Sequence, residues 1–181
     1  MAKLKINSRV EKYLPEFVYG SIDGTVTTFA VVAATVGAGL ASNIIIILGL
    51  ANLIGDGISM AVSAYLSAKS EHAQDKKNGV ESKKEPSKIG WATLVAFIVI
   101  GFMPLIIYVL DALLSADITQ RDLFIVSSIL SALVFISIGW LKSYVVDEPR
   151  IRAIAETLIL GALASGAAYF LGDVIAGWIL K

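Results

Sequence analysis

The sequence has no cysteine, a single histidine, and little charge for its length. Without cysteine there is no disulfide framework, thiolate zinc site or cysteine-held cluster. With His72 as the lone histidine, one chain cannot build a multi-histidine metal site. Charged residues are 17% of the 181, where an ordinary soluble domain carries roughly 25%. No nucleophile constellation, P-loop or nucleotide-binding motif is present, so the chain reads as no enzyme and as needing no resident cofactor. A basic N-terminus precedes the first apolar segment, but no small-residue cleavage pattern follows, so that segment reads as retained.

What is there is apolar and segregated. Hydrophobic residues make up 56% of the chain, and the charges gather in 3–16, 69–88 and 142–156. Long uncharged stretches between such islands point to an all-α integral membrane protein. Residues 89–110 and 123–141 carry no charge at all, and 43–66 is interrupted only by Asp56. A helix crossing a core about 30 Å thick needs about 20 residues. The reading is one domain over 1–181 with five transmembrane helices at about 17–41, 43–67, 89–111, 122–144 and 153–180. Residues 69–88 form the one appreciable cytosolic loop, with Gly79 and Pro86 interrupting any long helix. A peripheral cation site there, on Glu71 and Asp75 or on Glu81 and Glu85, is a lesser alternative to a solvated loop.

Turn chemistry fits these limits. Gly-Ala-Gly and Ser-Asn within 37–43 supply a tight reversal, the Asp117–Asp122 segment offers a helix cap, and Pro149 marks a break. Pro104 predicts a kink in the third span. Five spans put the termini on opposite sides. Lys3, Lys5, Arg9, Lys12, Lys69, Lys76, Lys77, Lys83, Lys84, Lys88, Lys142, Arg150 and Arg152 then share one side, leaving Arg121 and Lys181 on the other. The positive-inside rule puts the N-terminus in the cytosol and the C-terminus outside.

Two carboxylates offend against this pattern. Asp23 lies inside YGSIDGTVTTFAVVAATVGAG (19–39), and Asp56 lies inside NLIGDGISM (52–60) with no basic residue nearby. A carboxylate in hydrocarbon is costly and faces a partner helix or a polar cavity. Glu16, seven residues before Asp23, sits about 10 Å away along the same helix face. On the second span Asn52, Asp56 and Met60 stack at i, i+4 and i+8. Gly20 and Gly24 form a small-xxx-small pair for close helix contact.

Carboxylate and amide oxygens suit divalent first-row metals, and a thioether adds a softer ligand than Mg²⁺ or Ca²⁺ favours. Metal and proton compete for the same negative charge, which is the minimum basis for antiport. The site residues are therefore Asp23, Asp56 and Met60, with Asn52 giving a neutral oxygen and Glu16 drawing cations to the cytosolic mouth. Plainer readings stand beside these. Met60 can be apolar packing, Asp56 a structural acceptor, the glycines packing devices, and Tyr19 and Tyr65 interface aromatics. Asp173 and Glu156, near the ends of the last span, can be headgroup-exposed.

On these residues the chain resembles the vacuolar iron transporter family, which includes yeast vacuolar calcium/manganese-type transporters and plant nodulin-like members. The resemblance rests on the two motifs above, on the wider GLANLIGDGISMAVSAYLSAKSE, and on GFMPLIIYVL and LGALASGAAYFLG. It implies proton-coupled export of Fe²⁺ or Mn²⁺ from the cytosol by a homodimer of five-helix subunits, with a pore between subunits lined by spans one and two. The family's first-span aspartate falls on Asp23, an earlier acidic position on Glu16, and its methionine on Met60. Its acidic second-span position falls on Asn52, a departure that Asp56 compensates by one helical turn. A glutamate-rich cytosolic domain of the iron-transporting relatives is replaced by 69–88. A passive cation channel, an organic-cation transporter and a non-transporting membrane scaffold are the alternatives. The compact chain suggests a prokaryotic cell membrane.

Overall fold

The structure is a computed structural model that describes residues 8–80 and 84–179, with side chains from residue 12 onwards. Lys3, Lys5, Glu81, Lys83, Leu180, Lys181 and the Arg9 side chain lie outside the described residues. The order is α1 Ser8–Gly37, α2 Ser42–Lys77, α3 Pro86–Gly101, a single 3-10 turn Met103–Leu105, α4 Ile106–Leu114, α5 Gln120–Val146 and α6 Arg150–Ile179. Taking α3 and α4 as one interrupted span, five helices are long and apolar enough to cross a membrane. No strand occurs among the described residues.

The turn signals act where the sequence put them. α1 stops at Gly37, and Gly39 supplies the left-handed φ of +67° that turns the chain into α2. Thr119 caps α5, its hydroxyl oxygen accepting from the Asp122 amide at 3.3 Å. Asp147 takes φ +56° at the end of α5 and returns its N–H to Ser143, and Pro149 then precedes α6. Pro104 does more than kink its helix. It splits the span into α3 and α4, and the Pro104 carbonyl is satisfied instead by the Ser127 hydroxyl of α5 at 2.6 Å.

The 69–88 segment is only partly a loop. α2 continues unbroken to Lys77 and reaches about 54 Å over its 36 residues, well beyond a bilayer core. The helix stops at Asn78, Gly79 takes φ +72°, and Pro86 opens α3 at the first helical position, where its missing N–H costs nothing. Polar side chains in this stretch face water along a helix, so no apolar period announces it.

α1 is the hub. It packs against α2, α3, α5 and α6, whereas α6 is the least enclosed of the five spans. Phe29 and Val32 of α1 meet Ile45, Leu105, Tyr108, Leu123 and Phe135 in one buried cluster, and Leu14 and Val18 meet Ile138 in a second. Gly20 and Gly24 let α3 approach. A Cβ on Gly24 would stand 2.5 Å from the Phe97 carbonyl oxygen, so only glycine fits. These contacts run Gly20 to Thr93 and Gly24 to Phe97 and Gly101, so α1 and α3 run parallel. α5 runs against α1, with Ile138 beside Leu14 and Val18 and Phe124 stacked on Phe29. The spans alternate in direction as five crossings require.

A candidate metal path

The packing face of α2 is Gly49, Leu53, Gly57 and Ala61, all buried and spaced one turn apart. Gly57 lies on Phe97 and Ile98 of α3, and Gly90 of α3 lies under the Ala61 carbonyl. That fixes the rotation of α2 and so decides where its polar residues go. Asn52, Asp56 and Met60 form a stripe on the shoulder of the packed face, with Asn52 and Met60 half-buried and Asp56 exposed. Ser59 and Ser63 follow on the open side. On α1, Tyr19 is exposed and Asp23 half-buried, the α3-facing Gly20 and Gly24 turning them outward.

The two stripes belong together. The Asp23 and Asp56 carboxylates are close enough for their charges to repel. Neither forms an ion pair among the described residues. The Thr27 hydroxyl is committed to the Asp23 backbone carbonyl at 2.8 Å and leaves the carboxylate alone. Asn52 Nδ2 is buried with no hydrogen-bond partner among the described residues. Amide donors and unpaired carboxylates thus line one seam of adjoining helices. No group of three or more His, Cys, Asp or Glu side chains among the described residues is arranged to hold a metal. That includes the α2 extension carrying Glu71 and Asp75, while Glu81 is outside the described residues.

Glu16 is different from the sequence-based expectation of an open cation attractor. Lys84 reaches it from the segment before α3, Nζ to Oε1 at 2.7 Å. Next to it, the Glu85 amide donates to the Tyr13 hydroxyl at 3.2 Å. Sequence reasoning treated Lys84 only as a charge that sets topology. The available signal was the parallel register of α1 and α3. Pairing Gly20 with Thr93 carries the residues before Pro86 back to Tyr13 and Glu16. At the same end of the bundle, Glu156 is not merely headgroup-exposed, since Lys142 and Arg152 hold its two oxygens at 2.6 and 3.1 Å. Asp173 is exposed, and Tyr65 lies under the Lys69 ammonium, 6.0 Å from the ring centre.

Comparison with known proteins finds relatives of one family. A Toxoplasma gondii protein named vacuolar iron transporter is 42% identical over 73 residues, which is 40% of this chain and 22% of that protein. A Plasmodium falciparum protein of the same name is 35% identical over 79 residues, 41% of this chain and 29% of that protein. The chain therefore spans less than a third of either relative. The match to Arabidopsis thaliana vacuolar iron transporter 1 is longer, 22% identity over 218 residues, covering 88% of this chain and 85% of that protein. The VIT family pattern matches residues 14–85 and 72–173, taking in all five spans and every residue of the seam, and the chain belongs to the VIT family.

Proposed function

We propose that the protein exports a divalent transition metal, Fe²⁺ or Mn²⁺, from the cytosol in exchange for protons. The observation that carries this reading is the seam itself. Asp23 and Asp56, on adjacent membrane-crossing helices, repel each other and have no cation among the described residues to balance them. Two such charges in a low-dielectric span need either protons or an external cation. Met60, one turn from Asp56, adds a thioether that favours a first-row transition metal over Mg²⁺. Iron leads because the relatives above are named iron transporters.

One chain is not enough. Asp56 is exposed on a helix whose neighbours Ile54, Ile58 and Val62 are also exposed, and lipid does not accommodate a charge flanked in this way. A second copy placed against the open faces of α1 and α2 removes Asp56 from lipid. It also doubles Asp23, Asp56, Asn52 and Met60, turning an incomplete ligand set into a complete one. The proposed assembly is a homodimer with the path between subunits.

The cycle runs as a competition. A cation arriving at the end of the bundle with Glu16 moves to the carboxylates of the seam, and their protons leave. Protons from the far side then return the carboxylates to the neutral form and release the metal. The glycine seams bound the moving parts, since Gly20, Gly24 and Gly57 bring α1 and α2 into close contact with α3, while a side chain at Gly55 would face open space. The positive-inside bias orients this cycle with the N-terminus in the cytosol. The prokaryotic cell membrane suggested by chain length takes no support from the relatives, which are named vacuolar and come from plants and apicomplexans.

The test is flux in proteoliposomes with a panel of divalent metals while luminal pH is recorded. Fe²⁺ or Mn²⁺ uptake accompanied by proton counterflow is expected. Metal movement without proton movement indicates a passive channel, and no flux with any metal leaves a scaffold.

A further inference from the structure

We infer that Lys84 is a tethered competitor for the transported cation, seated on Glu16 until a divalent ion displaces it. For its role in transport this rests on the function proposed above; as a statement about cation binding it does not.

The pair is built unlike a permanent one. Lys84 Nζ engages only Oε1 of Glu16, at 2.7 Å, while Oε2 is buried with no hydrogen-bond partner among the described residues. One oxygen of an 83%-enclosed carboxylate (17% of its side chain is exposed) is thus left unsatisfied, a costly state for a charged group. A divalent ion bridging both oxygens meets that need, and a single ammonium in this position does not. The contrast lies at the same end of the bundle, where Lys142 and Arg152 together occupy both oxygens of Glu156.

The tether is also built to let go. The Lys84 side chain is one-third exposed, so its ammonium can swing into water on its flexible stem. The backbone beside it stays in place, because the Glu85 amide holds the Tyr13 hydroxyl at 3.2 Å, one turn before Glu16 on the same face of α1. Releasing the ammonium therefore does not require releasing the segment. The ammonium stays at high local concentration, so an arriving ion must out-compete it. A monovalent ion offers no more charge than the lysine, whereas a doubly charged one does. Lys84 thus sets a threshold and a valence preference at the mouth, before the seam of Asp23 and Asp56 is reached.

The test uses the full chain in nanodiscs and proteoliposomes, with Mn²⁺ as the probe. Mn²⁺ binding is titrated by electron paramagnetic resonance, and Mn²⁺ flux is measured in parallel. The variants are Lys84→Met, Lys84→Gln, Lys84→Arg, and Lys84→Met combined with Glu16→Gln. Loss of the ammonium is expected to tighten Mn²⁺ binding roughly two- to fivefold, the scale of a partly exposed ion pair. KM for flux falls by the same factor with the maximal rate kept. Lys84→Arg stays at the wild-type value, and the double variant loses the gain. Lys84→Gln repeats the result without an apolar side chain at the surface, so a folding defect in the methionine variant does not decide the matter. Unchanged binding in both neutral variants, or a gain that survives Glu16→Gln, overturns the inference even when the wild type transports. Tighter binding in a protein that moves no Mn²⁺ keeps the inference and removes the transport reading instead.

Discussion

The carboxylates at the end of the bundle and those at its middle are the same chemical groups with opposite company. At the end, Glu156 is held by Lys142 and Arg152, and Glu16 by Lys84. In the middle, Asp23 and Asp56 form no ion pair among the described residues, and their mutual interaction is repulsive. Counter-ions are supplied where water would have made them least necessary and withheld where lipid makes them most necessary. A fold that needed Asp23 and Asp56 only as structural acceptors would have paired them, since unpaired charge in a span is among the costliest features a membrane helix can carry. On the proposed function, the difference separates Glu156, whose two oxygens are both paired and which holds the fold, from Asp23 and Asp56, kept for a passing ion, with the half-paired Glu16 between the two.

The strongest way to break the comparison is to neutralise the middle. Asp56→Asn and Asp23→Asn are each expected to cut metal flux at least about tenfold, the scale of losing one charged contact. Thermal stability should hold or rise, because a repulsion disappears. Flux in proteoliposomes, read beside a melting curve in detergent, checks both halves. A variant that loses stability along with flux would mark these aspartates as structural.

A smaller effect sharpens the middle further. Met60→Leu keeps the apolar volume and removes the thioether, and volume-conserving swaps of this kind are well tolerated. Discrimination of Mn²⁺ or Fe²⁺ over Mg²⁺ should narrow by roughly tenfold or less, with total flux nearly kept. A competition assay at fixed Mn²⁺ and rising Mg²⁺ reads this directly. The converse change at the end is Glu156→Gln, which breaks two contacts to Lys142 and Arg152. It should lower the melting temperature and leave flux unaltered.

The spans were legible because lipid imposes its demand residue by residue. A helix in hydrocarbon must be apolar along its whole length, so the segregated charges mark the five crossings without reference to what packs on what. Asp23 and Asp56 stood out for the same reason, as exceptions to a local rule. Lys84 did not stand out, since a lysine in a polar segment breaks no rule, and its partner lies far away in sequence. The rotation of α2 was hidden too. Gly49, Leu53, Gly57 and Ala61 form its packed face, but nearly every position on its membrane-crossing part is apolar or small, so periodicity cannot choose among faces. The continuation of α2 to Lys77 was obscured by its polarity, for a solvated helix and a solvated loop share a composition.

The smallest expected effect lies at the edge of the paired region. Glu85 is fully in water just before α3, and the hydrogen bond from Lys88 at 2.7 Å, with that lysine's charge and more weakly that of Lys12, holds its carboxyl below the usual glutamate range. A carboxylate favoured by the fold adds stability above its unfolded pKa and loses it as pH falls through the lowered folded value. The difference in melting temperature between wild type and Glu85→Gln should therefore be small and constant above the ordinary glutamate range, then shrink as pH falls below it through the lowered folded value. Salt should shrink it, since exposed pairs are screened. Flux should track neither change, because the Glu85 contact with Tyr13 uses its backbone N–H, which does not titrate. A flux profile that follows the Glu85 titration would erase the distinction between charges that brace the end of the bundle and charges that carry an ion through it.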